Sequence, residues 1–421
     1  MTLSWATYSV VKDSSVWIGN TKDSLKLTPA PVAQVSYYHD NSYTMIHNHV
    51  LLSGLKPSTK YFYKVGSKSN AEYTSEIYSF VTARSGSDSG TFNIVVYGDL
   101  GPGNQSKNTI DYLNTLTSEN IDLIYHVGGV GYADDDFEMP GQYKGFWYEK
   151  VYNGWMNSMA PVMSSIPYMI VVGNHDAECR SESCGESKEK MAMLGNYSAF
   201  NTRFKMPSAE VGGALNMWYS FEHGPIHFTS VSTETDYPDA PKNGATKFSK
   251  NGNFGDQLKW MEADLKKAAA NRANVPWIIV GMHRPVYDLF GSVQLQDNMY
   301  VVAAFEDLLV KYEVDVVVTA HQHYYERQSP IRNNTAILEG VSSDFKTYTN
   351  PKAPVYIVSG AAGTVDGLSN IPEGNATWNV ASNYVDYGFS TLEANQSMLS
   401  WKFVKSSSQA VLDEFVMWKT T

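Results

Sequence analysis

The stretch Phe92–Gly101, F-N-I-V-V-Y-G-D-L-G, opens with six residues dominated by β-branched and aromatic side chains and stops at Gly-Asp. An apolar run of that length, ended by a turn signal, reads as a buried strand. The pattern returns downstream. Leu123–Val127, Tyr168–Val172, Ile226–Val231, Trp277–Val280, Val314–Thr319 and Val355–Val358 read as further strands. Lys107–Thr117, Gly255–Asn271 and Met299–Tyr312 read as helices between them. Short β runs alternating with helices mark an α/β layered domain. Towards the end, Gly388–Glu393, Ser397–Lys405 and Val411–Trp418 read as an antiparallel trio.

Upstream the character is different. Residues 1–84 read as all β, with strands at Ser15–Ile18, Gln34–Tyr38 and Lys60–Val65 separated by Pro, Gly, Asn and Ser, and no helix. The segment His49–Gly66, H-V-L-L-S-G-L-K-P-S-T-K-Y-F-Y-K-V-G, resembles the late strands of a fibronectin type III-like sandwich, where a Leu-x-Pro turn precedes a Tyr-rich strand. By that resemblance the small domain lacks its first strand and should lean on its neighbour, since an open edge is a liability. Ala83–Gly90 is polar and rich in Gly and Ser, a linker. The expected division is therefore 1–84 and 91–421.

The chain of 421 residues is 43% apolar and 18% charged, an ordinary globular composition. Its formal net charge of −11 argues against a nucleic-acid binder, whose affinity is built on clustered Lys and Arg. No apolar run reaches the ~18 residues of a membrane span. Cys179 and Cys184, in C-R-S-E-S-C, read first as a loop disulfide, with zinc and redox readings weaker. Asn104, Asn196, Asn333, Asn375 and Asn395 head Asn-x-Ser/Thr sequons and are the glycosylation candidates. Their number is what chance gives, so they permit secretion without arguing for it. No leader is visible before the first strand-like residues.

The residues that carry chemistry stand where strands stop, and in α/β sheets that is where ligands bind. Five apolar runs end in Gly98-Asp99-Leu100-Gly101, Gly128-Gly129-Val130-Gly131-Tyr132, Gly173-Asn174-His175-Asp176, Val280-Gly281-Met282-His283 and Ala320-His321-Gln322-His323. A lone Asp there is usually a turn residue and a lone His a satisfied polar group. Five in series ask for another explanation.

In this order they resemble the metallophosphoesterase motifs G-D-x-G, G-D-x-x-Y, G-N-H-[DE], V-x-x-H and G-H-x-H. The tyrosine, the front domain, Tyr132-Ala133-Asp134 and Tyr324-Tyr325-Glu326-Arg327 point to the purple acid phosphatases within that superfamily. The resemblance implies a layered metallophosphoesterase β-sandwich flanked by helices. It also implies an acid phosphatase that hydrolyses phosphate monoesters at a dinuclear centre, a metal-bound hydroxide attacking phosphorus in line. Fe(III) would take Asp99, Tyr132 and His323, and a divalent partner (Zn, Mn or Fe) would take Asn174, His283 and His321. Hard oxygen ligands suit the first ion, imidazole and amide the second. His175 would hold the phosphate or protonate the leaving alkoxide. Such enzymes are secreted or vacuolar/lysosomal, and the partners implied are small phosphate esters.

One position departs from the pattern. The second motif should carry an Asp that bridges both metals, and here it is Gly129. That loss sets occupancy of the pair in question and opens an alternative, a catalytically impaired relative acting as a phosphate-binding or interaction glycoprotein. Asp134, Asp135 and Asp136 follow closely, but they lie beyond Tyr132 and read as solvated or capping residues. Ala320 in place of Gly would strain the backbone if positive φ were needed there. Arg284 reads equally as a phosphate contact or a structural ion pair.

Overall fold

The structure is a computed structural model and describes residues 1–40, 43–134, 145–241, 246–289, 296–369 and 376–420. The first eighty residues form two antiparallel sheets. One orders Thr2–Thr7, Ile46–Leu51 and Ala33–Val35; the other orders Lys26–Leu27, Ser14–Gly19, Lys60–Ser67 and Tyr78–Val81. Side chains alternate across a strand, so Lys60–Ser67 turns Tyr63 and Val65 inward onto Leu3, Val16, Val50 and Phe80. Among the described residues here, only single 3-10 turns at Lys22–Ser24 and Ala71–Tyr73 interrupt the strands.

The strand expected at Gln34–Tyr38 stops at Val35. The reason is tertiary: Tyr37 and Tyr38 leave the sheet for the neighbouring layer. Tyr38 packs on Phe146, and the Tyr37 hydroxyl donates to Glu149 Oε1 at 2.5 Å. Arg203 closes this contact by donating to Tyr37 Oη at 2.8 Å and to Glu149 Oε2 at 2.7 Å. Tyr63 adds a hydrogen bond to the Ser164 carbonyl, and His49 Nε2 sits 2.8 Å from the Thr202 carbonyl.

From Phe92 onward two mixed sheets lie face to face. The seven-stranded sheet orders Tyr168–Val171, Leu123–Val127, Phe92–Tyr97, Gly388–Ala394, Met398–Lys405, Val411–Trp418 and Thr347–Thr349. The second sheet is centred on the parallel strands Ile226–Ser230, Trp277–Gly281, Val316–Thr319 and Val355–Ser359. Period-two alternation builds the layers. Ile94 and Val96 face inward with Leu123 and Tyr125, meeting Phe228, Ile279, Val318 and Ile357 of the other sheet. Val95, Tyr97 and Ile124 face outward onto the helix Tyr148–Met163. On the far side Ile278, Val280 and Val317 pack against Gln257–Ala270 and Gln296–Lys311. The α/β layered sandwich with a smaller all-β front is thus the fold.

The other expected strands form, with ends moved by a residue or two. The helix expected over Lys107–Thr117 ends at Leu113. Tyr148–Met163 was not foreseen: Gly154 and Pro161 within it break the sequence signal. No described helix is long and apolar enough to cross a membrane.

Candidate metal centre

Both sheets end their parallel strands at the same edge, and the close approach of backbones there explains the glycines. A Cβ on Gly98 would fall 2.3 Å from the Ala320 Cβ, and one on Gly128 would fall 2.2 Å from His283 Nδ1. Three side-chain bearers, Asp99, Tyr132 and His321, sit at φ of 59°, 47° and 67°. Non-glycine residues hold such angles only where the surroundings fix them, and they gather at functional sites. Ala320 is not among the positive-φ residues; the turn falls on His321 instead, so the feared strain at Ala320 does not arise.

Six expected ligands meet at this edge. The Tyr132 hydroxyl donates to Asp99 Oδ1 at 2.6 Å and lies 2.8 Å from His323 Nε2. Asn174 Oδ1 lies 2.9 Å from His283 Nε2 and 3.1 Å from His321 Nδ1. Asp99 Oδ1 stands 3.8 Å from both His283 Nε2 and His323 Nε2, while its Oδ2 accepts the His321 backbone N–H at 2.7 Å. Asp176 fixes the Asn174 turn by accepting from the N–H of Gly173 at 2.8 Å and of Val130 at 3.1 Å.

Whether these residues suit a metal pair is tested by the far side of each imidazole. A ligating histidine normally donates its other N–H to a carbonyl or carboxylate. His283 Nδ1 faces the Val127 carbonyl at 3.1 Å and His323 Nδ1 faces the Gly367 carbonyl at 2.9 Å. Each arrangement leaves Nε2 with its lone pair aimed into the cluster. His321 is the exception, since its Nε2 faces Arg284 Nη1 at 3.2 Å. Burial holds His283 and His321 below the ordinary imidazole pKa, and Arg284 adds to the depression of His321. Neutral rings are what ligation requires. The donor types therefore fit. No three described His, Cys, Asp or Glu side chains form a metal cage by themselves, and the convergence depends on Tyr132 and Asn174.

His175 stacks on Tyr132, ring centroids 4.1 Å apart. Its Nδ1 lies 3.0 Å from Asp134 Oδ2 and 3.2 Å from Oδ1. Asp134 is fully buried, with Arg180 Nη1 3.7 Å away. The expectation that Asp134 is solvated or a cap is overturned: the chain turns at Tyr132 and tucks the carboxylate beneath His175. Asp135 and Asp136 lie outside the described residues. Spacing two residues past Tyr132 was the only signal, and it does not distinguish burial from exposure. Arg284 forms a buried ion pair, its Nε 2.9 Å from Glu234 Oε2, while also touching His321.

Cys179 and Cys184 are joined in a disulfide on the loop that follows Asp176. Of the sequon asparagines, Asn104 and Asn333 are exposed. Asn196 is tied to Gly252 through both its amide atoms, and Asn395 Oδ1 accepts from Ser397 and Met398. Asn375 lies outside the described residues.

Three family models divide the chain. Residues 92–325 match the calcineurin-like phosphoesterases, 353–414 the iron/zinc purple acid phosphatase-like protein C domain and 1–82 the purple acid phosphatase N-terminal domain. An acid phosphatase of Aspergillus ficuum is 28% identical, aligned over 88% of this chain and 75% of its own. Acid phosphatase type 7 of Homo sapiens is 32% identical, over 82% of this chain and 70% of its own. In fold, the structure of a purple acid phosphatase from yellow lupin seeds matches 99% of this chain and 72% of that one, with a TM-score of 0.73 at 23% identity. The chain belongs to the purple acid phosphatase family of calcineurin-like phosphoesterases and is, by that resemblance, a phosphatase of phosphate monoesters.

Proposed function

We propose that this chain is an acid phosphatase whose iron site is Asp99, Tyr132 and His323 and whose divalent site (Zn, Mn or Fe) is Asn174, His283 and His321. The observation that carries this reading is that the donor atoms of six side chains from five strand ends lie between 2.6 and 3.8 Å from a neighbour in the set. When bound, two such ions screen the phosphate oxygens and lower the pKa of water at the site. The protein's own part centres on His175. With its Nδ1–H donated to Asp134, the ring is fixed, and Nε2 is the nitrogen we assign to the substrate. A proton on Nε2 passes to the ester oxygen as its bond to phosphorus breaks. Tyr132, stacked on the same ring, keeps it from swinging out of line.

Gly129 favours a second reading, an impaired relative that binds phosphate or another partner as a glycoprotein. Hydrolysis of a chromogenic aryl phosphate at acid pH by the metal-loaded chain and by Gly129→Asp separates the two. Turnover by the native chain, lost in His175→Ala, supports the phosphatase. An inert native chain beside an active Gly129→Asp establishes the impaired relative, and two inert proteins reject the site assignment. The disulfide supports a secretory or vacuolar/lysosomal setting, where the exposed Asn104 and Asn333 are the sequons we expect to carry glycans.

A further inference from the structure

A dinuclear centre is favoured by an anionic ligand between its ions, because two cations ~3.5–4 Å apart repel. Gly129 cannot supply it. The space where a side chain at 129 would begin is already taken: a Cβ there would fall 2.3 Å from Asp99 Oδ1. That same oxygen stands 3.8 Å from His323 Nε2 on the iron side and 3.8 Å from His283 Nε2 on the other. Donor atoms so spaced can reach one ion at ligand distances of ~2.0–2.2 Å, and Oδ1 has one such partner in each trio.

The rest of Asp99 is held for this placement. Its φ of 59° turns the side chain towards the gap, and Oδ2 is anchored by the His321 N–H. A Cβ on Gly360 would lie 2.9 Å from Oδ2, so the glycine there keeps the carboxylate's second oxygen clear. Asp99 is fully buried and is the one carboxylate among the six ligands.

We propose that Asp99 Oδ1 is the shared ligand of both metals in this chain, taking the place that a side chain at 129 would otherwise fill. The proposal rests on the reading of the six residues as a metal centre. It predicts that the two half-sites stand or fall together on a single carboxylate.

The test is metal content. The full chain, loaded with ferric iron and zinc and freed of excess by gel filtration, is assayed for both elements and for visible absorption. Native protein should retain both metals. Asp99→Asn should lose both, each by more than ~10-fold in occupancy, and Asp99→Asn/Gly129→Asp should regain zinc. Loss of iron and colour with zinc retained in Asp99→Asn would overturn the shared ligand, as would a native chain that holds one metal. A native chain holding none also overturns it. In that case Gly129→Asp separates the failures: two metals there leave the centre standing, and none rejects the centre as well. Thermal melting reports whether Asp99→Asn folds. If it does not, native occupancy decides: both metals are expected, with Gly129→Asp gaining less than ~10-fold in zinc affinity, and iron alone refutes the proposal.

Discussion

Asp99, Tyr132 and His323 form one half of the site, and Asn174, His283 and His321 form the other. They share an edge of the sandwich, yet their electrostatics differ. The first half owns a carboxylate and a phenol, hydrogen-bonded to each other at 2.6 Å, and a histidine held from behind by a backbone carbonyl. The second is neutral in all three side chains, and behind His321 stands the Arg284 guanidinium rather than an acceptor. Loss of the Asp at 129 therefore falls unequally. In the proposed centre the iron half would keep its own anions, whereas the divalent half would depend on Asp99 from across the gap and on Glu234 to absorb the charge of Arg284.

Removing that last protection should break the comparison most severely. Glu234→Gln removes the carboxylate paired with the buried Arg284, a change that costs about 3–5 kcal/mol in comparable pairs. A lowered melting temperature should be accompanied by weaker zinc binding and unchanged iron binding. Equal weakening of both halves would show that the asymmetry is not electrostatic. Tyr132→Phe attacks the opposite side. Iron affinity should fall by more than ~100-fold, beyond the ~10–100-fold typical of outer partners, with loss of colour; competition against a chelator measures it.

Asp134→Asn leaves both halves in place and frees His175 from its orienting carboxylate. A drop of ~10–100-fold in kcat with little change in KM or metal content is expected. A loss of metal instead would mean that Asp134 supports the centre rather than the histidine.

The smallest effect comes from a histidine outside the cluster, flanked by a carboxylate at each ring nitrogen. His227 lies between Asp264, 3.0 Å from its Nε2, and Glu222, 3.7 Å from its Nδ1. Burial opposes its charge, but the two carboxylates outweigh burial and raise the pKa to about 9. Its folded pKa exceeds the unfolded value of ~6.5, so its stabilisation is complete below that pH and is lost as pH rises through about 9. Melting temperature should decline across that window, and His227→Gln should flatten the decline.

The cluster was legible in the sequence because each candidate ligand follows an apolar run, and a strand's end locates the residues just past it in space. Strand ends bring Asp99, Asn174, His283, His321 and His323 to one edge, and it is the resemblance to the purple acid phosphatases that proposes them as ligands. Asp134 was misread because burial beneath His175 is set by a turn at Tyr132 with φ of 47°, which no local composition announces. The Arg284–Glu234 pair joins residues fifty positions apart, and a single sequence carries no sign of such pairing. Tyr37 and Tyr38 read as strand because their intrinsic preference is for strand. Contact with Glu149 and Phe146 overrode it. In the helix Tyr148–Met163 the reverse holds: packing of Tyr152, Trp155 and Met159 into the outer core carries a segment that Gly154 and Pro161 weaken.

The division into two unequal halves is tested most directly by the visible spectrum of the iron- and zinc-loaded chain beside Tyr132→Phe and His283→Ala. A charge-transfer band from phenolate to Fe(III) should be present in the native protein, absent in Tyr132→Phe, and retained in His283→Ala with its zinc lost. A colourless native chain, or a band lost equally in His283→Ala, would contradict the account.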